Sequence, residues 1–135
     1  MSRPKIICHM LTSIDGKVTG DFLFDTRCAA ATEIYYEINR TLKSEGSQGY
    51  ICGRVTMEGS FTGGWYPDLA AYIPTEASAE REMYNLPENP SREYYAIAFD
   101  TKGRLGWRSN TIEDEDPGYG GARIIEVLTE GVDGR

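Results

Sequence analysis

The chain has 135 residues, a formal net charge of −7 at pH 7 and a hydrophobic fraction of 40%. This length fits one domain with a core of its own, and this composition excludes a wholly disordered protein. Because 21 acidic side chains outnumber 14 basic ones, the surface repels phosphate backbones and anionic lipid, so we expect neither nucleic-acid binding nor membrane binding. No apolar stretch approaches the length of a membrane span, and we predict a cytoplasmic protein.

The three cysteines, Cys8, Cys28 and Cys52, are odd in number, and no pair has the C-x-x-C spacing. This usage is typical of reduced thiols in a cytosolic protein, and we predict no metal site. Because Cys8 and Cys52 lie inside apolar runs, we expect both to be buried.

The first half of the chain predicts a strand, a helix and a second strand. A continuous apolar run at 5–12 is typical of a strand covered on both faces, and the run at 49–56 has the same character. Between them, apolar residues at helical spacing predict a helix over 28–45, beginning near Asp25 or Thr26 and ending at Gly46. We therefore expect a βαβ unit in which the first two strands are parallel.

The second half is less regular, because glycine and proline interrupt it repeatedly. The pattern predicts these elements in order: a short helix within 75–85, a strand over 94–101, a short return strand over 104–108, a loop over 110–121 and a final strand over 123–130. We expect a crossover helix after a strand of this type, and the sequence stops before one.

Three motifs follow the predicted strands. Residues 12–18 (Thr-Ser-Ile-Asp-Gly-Lys-Val) come after the first strand. Residues 53–58 (Gly-Arg-Val-Thr-Met-Glu) come at the end of the second, and residues 99–105 (Phe-Asp-Thr-Lys-Gly-Arg-Leu) at the end of the third. Each is a common short pattern alone, but their order and their places at strand ends make the set more specific.

Together these motifs resemble the dihydrofolate-reductase-like superfamily. The closer resemblance is to the branch that contains the C-terminal reductase domain of the bifunctional riboflavin-biosynthesis deaminase/reductase. The resemblance implies an α/β fold with three layers, α/β/α, around a mixed, mainly parallel sheet. It spans residues 1–135 as a single partial domain, because the family's later Glu-Gly-Gly turn has no counterpart in this sequence, and we expect a C-terminally truncated reductase domain.

The resemblance also implies where ligands bind. Nicotinamide enzymes hold their cofactor at the carboxyl ends of parallel strands, where amides and guanidinium groups meet its phosphates. The cofactor would be NADPH, and the implied contacts are Gly53, Arg54, Val55 and Thr56, with Asp100, Thr101 and Arg104 near its adenosine half. The implied substrate-binding residues are Thr12, Ser13, Asp15 and Lys17, beside the nicotinamide.

Each of these residues also has an ordinary structural interpretation. Arg54 and Arg104 are equally typical of solvated surface charges, and Asp15 of a turn residue that bonds its own backbone. The loop Gly64-Trp65-Tyr66-Pro67-Asp68 could wall a pocket for a planar ring, pack as a loop or join a dimer interface.

The sequence assigns no catalytic proton donor. His9, the only histidine, lies in the middle of a predicted strand and is more typical of a packed residue. Glu33 and Glu37 lie one turn apart on the predicted helix, and a solvated helix face paired with Arg40 accounts for them.

The function that we expect from this resemblance is an NADPH-dependent oxidoreductase. Hydride would pass to a heterocyclic or ribosylamino substrate, as in 5-amino-6-(5-phosphoribosylamino)uracil reduction, and the enzyme would be a homodimer. Two alternatives stay open beside it: a truncated, non-catalytic domain that self-associates, and a dihydrofolate-reductase-like enzyme with another substrate. A flavodoxin-like domain is disfavoured, because Asp15 and Lys17 stand where such a domain has a Ser/Thr/Gly phosphate loop.

Overall fold

The structure, a computed structural model, describes residues 3–70 and 93–132. Contacts divide the chain into two compact units, Met1–Gly46 and Ser47–Arg135. The short helix predicted within 75–85 lies outside the described residues.

Helix α1, Ala29–Ser44, is the main element of the first unit and confirms the helix predicted over 28–45. It starts with three alanines and contains neither glycine nor proline, which suits an uninterrupted helix. Two 3₁₀ turns precede it, Asp21–Phe24 and Thr26–Cys28. The Asp25 carboxylate accepts the backbone N–H of Arg27 in the second turn. Among the described residues, no helix is both long and apolar enough to cross a membrane.

The strand predicted over 5–12 is wrong. These residues are irregular and mostly exposed: Ile6 is 83% exposed, and Cys8, expected to be buried, is also exposed. The parallel pair predicted between 5–12 and 49–56 is therefore not formed. An apolar run becomes a strand only where a neighbouring strand supplies hydrogen-bonding partners, and apolar composition alone does not provide one.

A parallel sheet organises the second unit. Strands β1, Gly49–Gly53, β2, Tyr95–Phe99, and β3, Arg123–Val127, pair in the order β1-β2-β3. They confirm the strands predicted over 49–56, 94–101 and 123–130 with shorter bounds. Across the described residues the three strands are all parallel, and an isolated antiparallel bridge joins Thr111 to Arg123 of β3. The chain therefore has an α/β arrangement with a mainly parallel sheet.

The segments after the strands are mostly short turns. Helix α2, Arg54–Met57, follows β1 directly and continues into a single π-type turn, Glu58–Thr62. The return strand predicted over 104–108 is wrong: this segment is an irregular loop with Leu105 and Gly106 buried. Its backbone runs against the 65–66 loop so closely that a Cβ at Gly106 would overlap the Trp65 carbonyl.

The core lies on one face of the sheet. The buried hydrophobic residues of this cluster are Met57, Ala96, Ala98, Leu105, Ile112, Ala122 and Ile124. On the other face Ile51 is 60% exposed and Phe99 51%. The expectation of strands covered on both faces is therefore not met at these positions, and the sheet follows the alternation of a strand buried on one side.

Candidate functional site

The carboxyl ends of the three strands lie at one edge of the sheet. Gly53, Phe99 and Val127 are register partners, so the chain leaves all three strands at the same level. The open edge beyond the carboxyl ends of parallel strands is where ligands bind in α/β sheets. Two of the three motifs found in the sequence, at 53–58 and 99–105, therefore meet at this edge.

The Gly-Arg-Val-Thr motif occupies the turn from β1 into α2. A Cβ at Gly53 would meet no atom within 4 Å, and its φ of −73° suits any residue, so protein packing does not require glycine there. Arg54 forms an ion pair with Glu58 one turn later, and the two side chains are 30% and 38% exposed. Val55 and Thr56 are exposed. The motif thus presents an open surface with one guanidinium group, already paired to a carboxylate.

Asp100 organises the turn after β2. It is 1% exposed, and its carboxylate accepts the backbone N–H groups of Lys102 at 3.2 Å, Leu105 at 2.7 Å and Arg104. Burial pushes the pKa of Asp100 upward, but these amide hydrogen bonds outweigh it, so the pKa lies below its ordinary value. Asp100 holds the turn together from inside, and it leaves Thr101 and Arg104 exposed on the outside.

The motif at 12–18 belongs to the Met1–Gly46 unit and forms a self-contained turn. The Ser13 hydroxyl donates to the Asp15 carboxylate, and the Lys17 amide donates to the Ser13 hydroxyl oxygen at 2.9 Å. Lys17 pairs with Asp15 at 3.0 Å, and hydrogen bonds from Ser13 and Lys17 lower the pKa of Asp15. The polar groups of Ser13, Asp15 and Lys17 are therefore bonded to one another and exposed to solvent. Thr12 directly precedes this turn.

A cavity of about 200 Å³ opens beside the turn after β2. Two residues of the 64–68 loop, Tyr66 and Pro67, lie in its lining. The lining also includes Lys102, Leu105, Trp107 and Glu126. The Tyr66 hydroxyl donates to the Gly103 carbonyl at 3.0 Å, which joins the 64–68 loop to that turn. The neighbouring Trp65 forms a cation–π contact instead: the Arg108 guanidinium lies 4.6 Å from its ring centroid.

Glu126 is a notable residue of this region, and the sequence reasoning missed it. It lies inside β3, and its Oε2 accepts the indole N–H of Trp107 at 3.1 Å. Its Oε1 is buried, and no N–H or O–H donor reaches it. Burial, and next the nearby Asp100 carboxylate, raise the pKa of Glu126 to about 7. The available signal was a lone acidic residue within the apolar run Ile-Ile-Glu-Val-Leu at 124–128.

The remaining acid–base candidates take structural roles. The His9 ring stacks on Tyr35 with centroids 4.3 Å apart, and its Nε2 lies 3.0 Å from the Tyr35 carbonyl oxygen. Glu33 pairs with Arg40 at 2.6 Å, as the solvated-face interpretation expects, and Glu37 is exposed on the same helix. These contacts assign none of the three a proton-transfer role.

Comparison with protein-family models, with curated proteins and with solved structures gives no significant match. The resemblance to the dihydrofolate-reductase-like superfamily therefore depends on the three sequence motifs.

Proposed function

We propose that the chain is an NADPH-dependent reductase domain of the dihydrofolate-reductase-like kind, with the cofactor phosphates bound at the carboxyl edge of the sheet. One observation carries the proposal: the motifs at 53–58 and 99–105 follow adjacent parallel strands that end in register. Arg54 and Arg104 supply the fixed positive charges. On a chain with a net charge of −7, binding of an anionic cofactor requires such a local pocket rather than general attraction.

The ion pair between Arg54 and Glu58 is compatible with this role. A partly exposed pair contributes only about 0–1 kcal/mol, so a phosphate can share the guanidinium or replace Glu58 at little loss. A charge-assisted phosphate contact is worth about 1.5–3 kcal/mol. Asp100 supports the site from within the turn, while Thr101 and Arg104 are exposed to a ligand. The substrate in this proposal is a heterocyclic or ribosylamino compound, bound with Thr12, Ser13, Asp15 and Lys17, and the active form is a homodimer.

The test is a fluorescence titration of NADPH with the wild-type chain and with Arg54→Ala and Arg104→Ala. We expect each substitution to weaken binding by roughly tenfold to a hundredfold, since each 1.4 kcal/mol is tenfold. The loss should be smaller for NADH if the arginine contacts the 2′-phosphate, which NADH lacks. Added salt should weaken NADPH binding as well.

The matched control is Arg27→Ala. Arg27 is an arginine paired with a carboxylate, Asp25, at 2.6 Å, but it lies in the Met1–Gly46 unit. We expect this variant to bind NADPH like the wild type. Equal loss in all three variants would show a general charge effect, and unchanged binding in Arg54→Ala would remove Arg54 from the site.

The exposed sheet face favours a second candidate, a domain that functions by self-association. Ile51 and Phe99 are more than half exposed, and among the described residues β1 pairs on one side only, with β2. Open edges and uncovered apolar faces promote pairing between chains. Sedimentation velocity at micromolar concentration tests it: a clean monomer contradicts self-association, and a dimer that binds no NADPH favours it over the reductase.

A further inference from the structure

The two oxygens of the Glu126 carboxyl group have different environments. Oε2 accepts the Trp107 indole N–H at 3.1 Å, whereas Oε1 is buried and no N–H or O–H donor reaches it. An ionised carboxylate only accepts hydrogen bonds, and leaving one of its oxygens buried and unbonded is strongly unfavourable. A protonated carboxyl removes the conflict, because Oε1 then becomes a donor.

Asp100 is the acceptor that such a donor needs. Its carboxylate takes three backbone N–H groups, an arrangement that favours the ionised form, and two carboxylate oxygens offer about four acceptor positions. Asp100 also lies beside Glu126 in the fold. Glu126 is the register partner of Ala98, and the Asp100 amide donates to the carbonyl of Val127, the next residue of β3, at 3.1 Å.

We propose that Glu126 is a positioning residue that holds one proton jointly with Asp100, and that this shared proton fixes the 100–105 turn against β3. In this arrangement Glu126 Oε1–H donates to the Asp100 carboxylate while Oε2 accepts from Trp107. The turn carries Thr101 and Arg104 at the carboxyl edge, so loss of this proton should also weaken NADPH binding. This second expectation rests on the proposed function.

A side-chain hydrogen bond also joins this turn to the segment after β3, and Gly103 lies close to the Val132 side chain of that segment. The Thr129 hydroxyl donates to the Thr101 carbonyl at 2.8 Å, and both groups are exposed to water. Loss of the shared proton leaves two like charges side by side, which replaces an attraction by a repulsion. The pair is thus one buried side-chain attachment of the turn, and the raised pKa of Glu126, about 7, agrees with the pair holding one proton below neutral pH.

Other titratable groups face Glu126 from the surrounding elements. Lys102 and Tyr66 line the same cavity. Cys52 of β1 pairs with Ala98 of β2, and Ala98 pairs in turn with Glu126 of β3. Burial raises the pKa of Cys52 above its ordinary value. The Glu126→Gln variant separates a transition of the carboxyl pair from any change at these neighbouring groups.

The experiment follows the nitrogen-15 NMR signals of the Trp107 indole and of the Arg104 and Leu105 amides between pH 5.5 and 8.5. In the wild type we expect these signals to move together with a midpoint near 7. The Trp65 indole serves as the internal control and should not follow them. In Glu126→Gln the side-chain amide donates to Asp100 and its carbonyl accepts from Trp107, so we expect the signals to stay near their low-pH positions throughout.

NADPH affinity provides the second readout. We expect binding to the wild type to weaken by about threefold or more from pH 6 to pH 8.5, relative to Glu126→Gln under the same conditions. This ratio cancels the titration of NADPH itself. The charge-matched control is Glu115→Gln, at an exposed position outside the cavity lining, and it should behave like the wild type.

Three results overturn the proposal: a wild-type midpoint below about pH 5.5, no transition in the wild type, or an unchanged transition in Glu126→Gln. If the variant does not fold, the midpoint of the wild-type Trp107 signal decides alone. If NADPH binds to neither protein while the NMR transition occurs as expected, the proposed function fails and the shared proton stands.

Discussion

Replacing Asp100 by alanine is the sharpest test of how the turn after β2 is held. The carboxylate is 1% exposed and accepts three backbone N–H groups, from Lys102, Arg104 and Leu105. Alanine removes both carboxylate oxygens and so leaves all three N–H groups without their acceptor. The amides of Lys102 and Arg104 belong to exposed residues and can turn to water, but Leu105 is only 5% exposed.

The expected magnitude follows from these differences in exposure. Leaving the buried Leu105 amide without an acceptor costs about 1–3 kcal/mol. Losing the hydrogen bonds of the two solvated amides lowers the free energy of unfolding by about 0.5–1 kcal/mol in total, because water replaces most of each bond. Asp100→Ala should therefore lower the free energy of unfolding by about 1.5–4 kcal/mol, a large part of the roughly 5–15 kcal/mol that stabilises a typical domain.

Urea denaturation measures this change as a lower midpoint with an unchanged slope. Asp68→Ala is the matched control, because Asp68 also accepts the amide N–H two residues later, at 2.9 Å from Ala70, but at an exposed site. We expect the control to change stability by less than about 0.5 kcal/mol. A loss below about 1 kcal/mol in Asp100→Ala would refute the reasoning, because the buried amide would then have found another partner.

Two further predictions concern stability. Because the pKa of Glu126 rises from 4.5 in the unfolded chain to about 7 in the folded one, the folded state binds the extra proton between these values, so stability falls as pH rises through this range. The fall is at most about 3 kcal/mol, and urea titrations of Glu126→Gln should lack it; the same slope in both proteins would contradict the assignment. Gly49→Ala should destabilise the chain by about 1–3 kcal/mol, because its Cβ would overlap the Tyr95 carbonyl oxygen. Gly53→Ala, at the other end of β1, meets nothing within 4 Å and should lie within about 0.5 kcal/mol of the wild type.

The sequence alone predicted the helix and strands whose patterns extend over only a few neighbouring residues. Helical spacing between residues 31 and 42 predicted a helix over 28–45, and α1 runs Ala29–Ser44. The strands at 49–53, 95–99 and 123–127 lie inside the predicted ones. Apolar periodicity and turn chemistry act over a few residues, so the chain itself carries this information. The predicted strands were too long at their carboxyl ends, because side-chain pattern does not say where the hydrogen-bonded ladder stops.

The tertiary structure decided which segments pair and which side chains meet. The run at 5–12 is as apolar as β1, yet it forms no strand, since a strand depends on a partner that its own residues do not specify. The partner of β1 is β2: Gly49 pairs with Tyr95, which lies 46 residues later in the sequence. Glu126 and Asp100 are 26 residues apart, and only the parallel register of β2 and β3 brings the two carboxyl groups together. Their shared environment, and with it the raised pKa of Glu126, is a property of that register rather than of either local sequence.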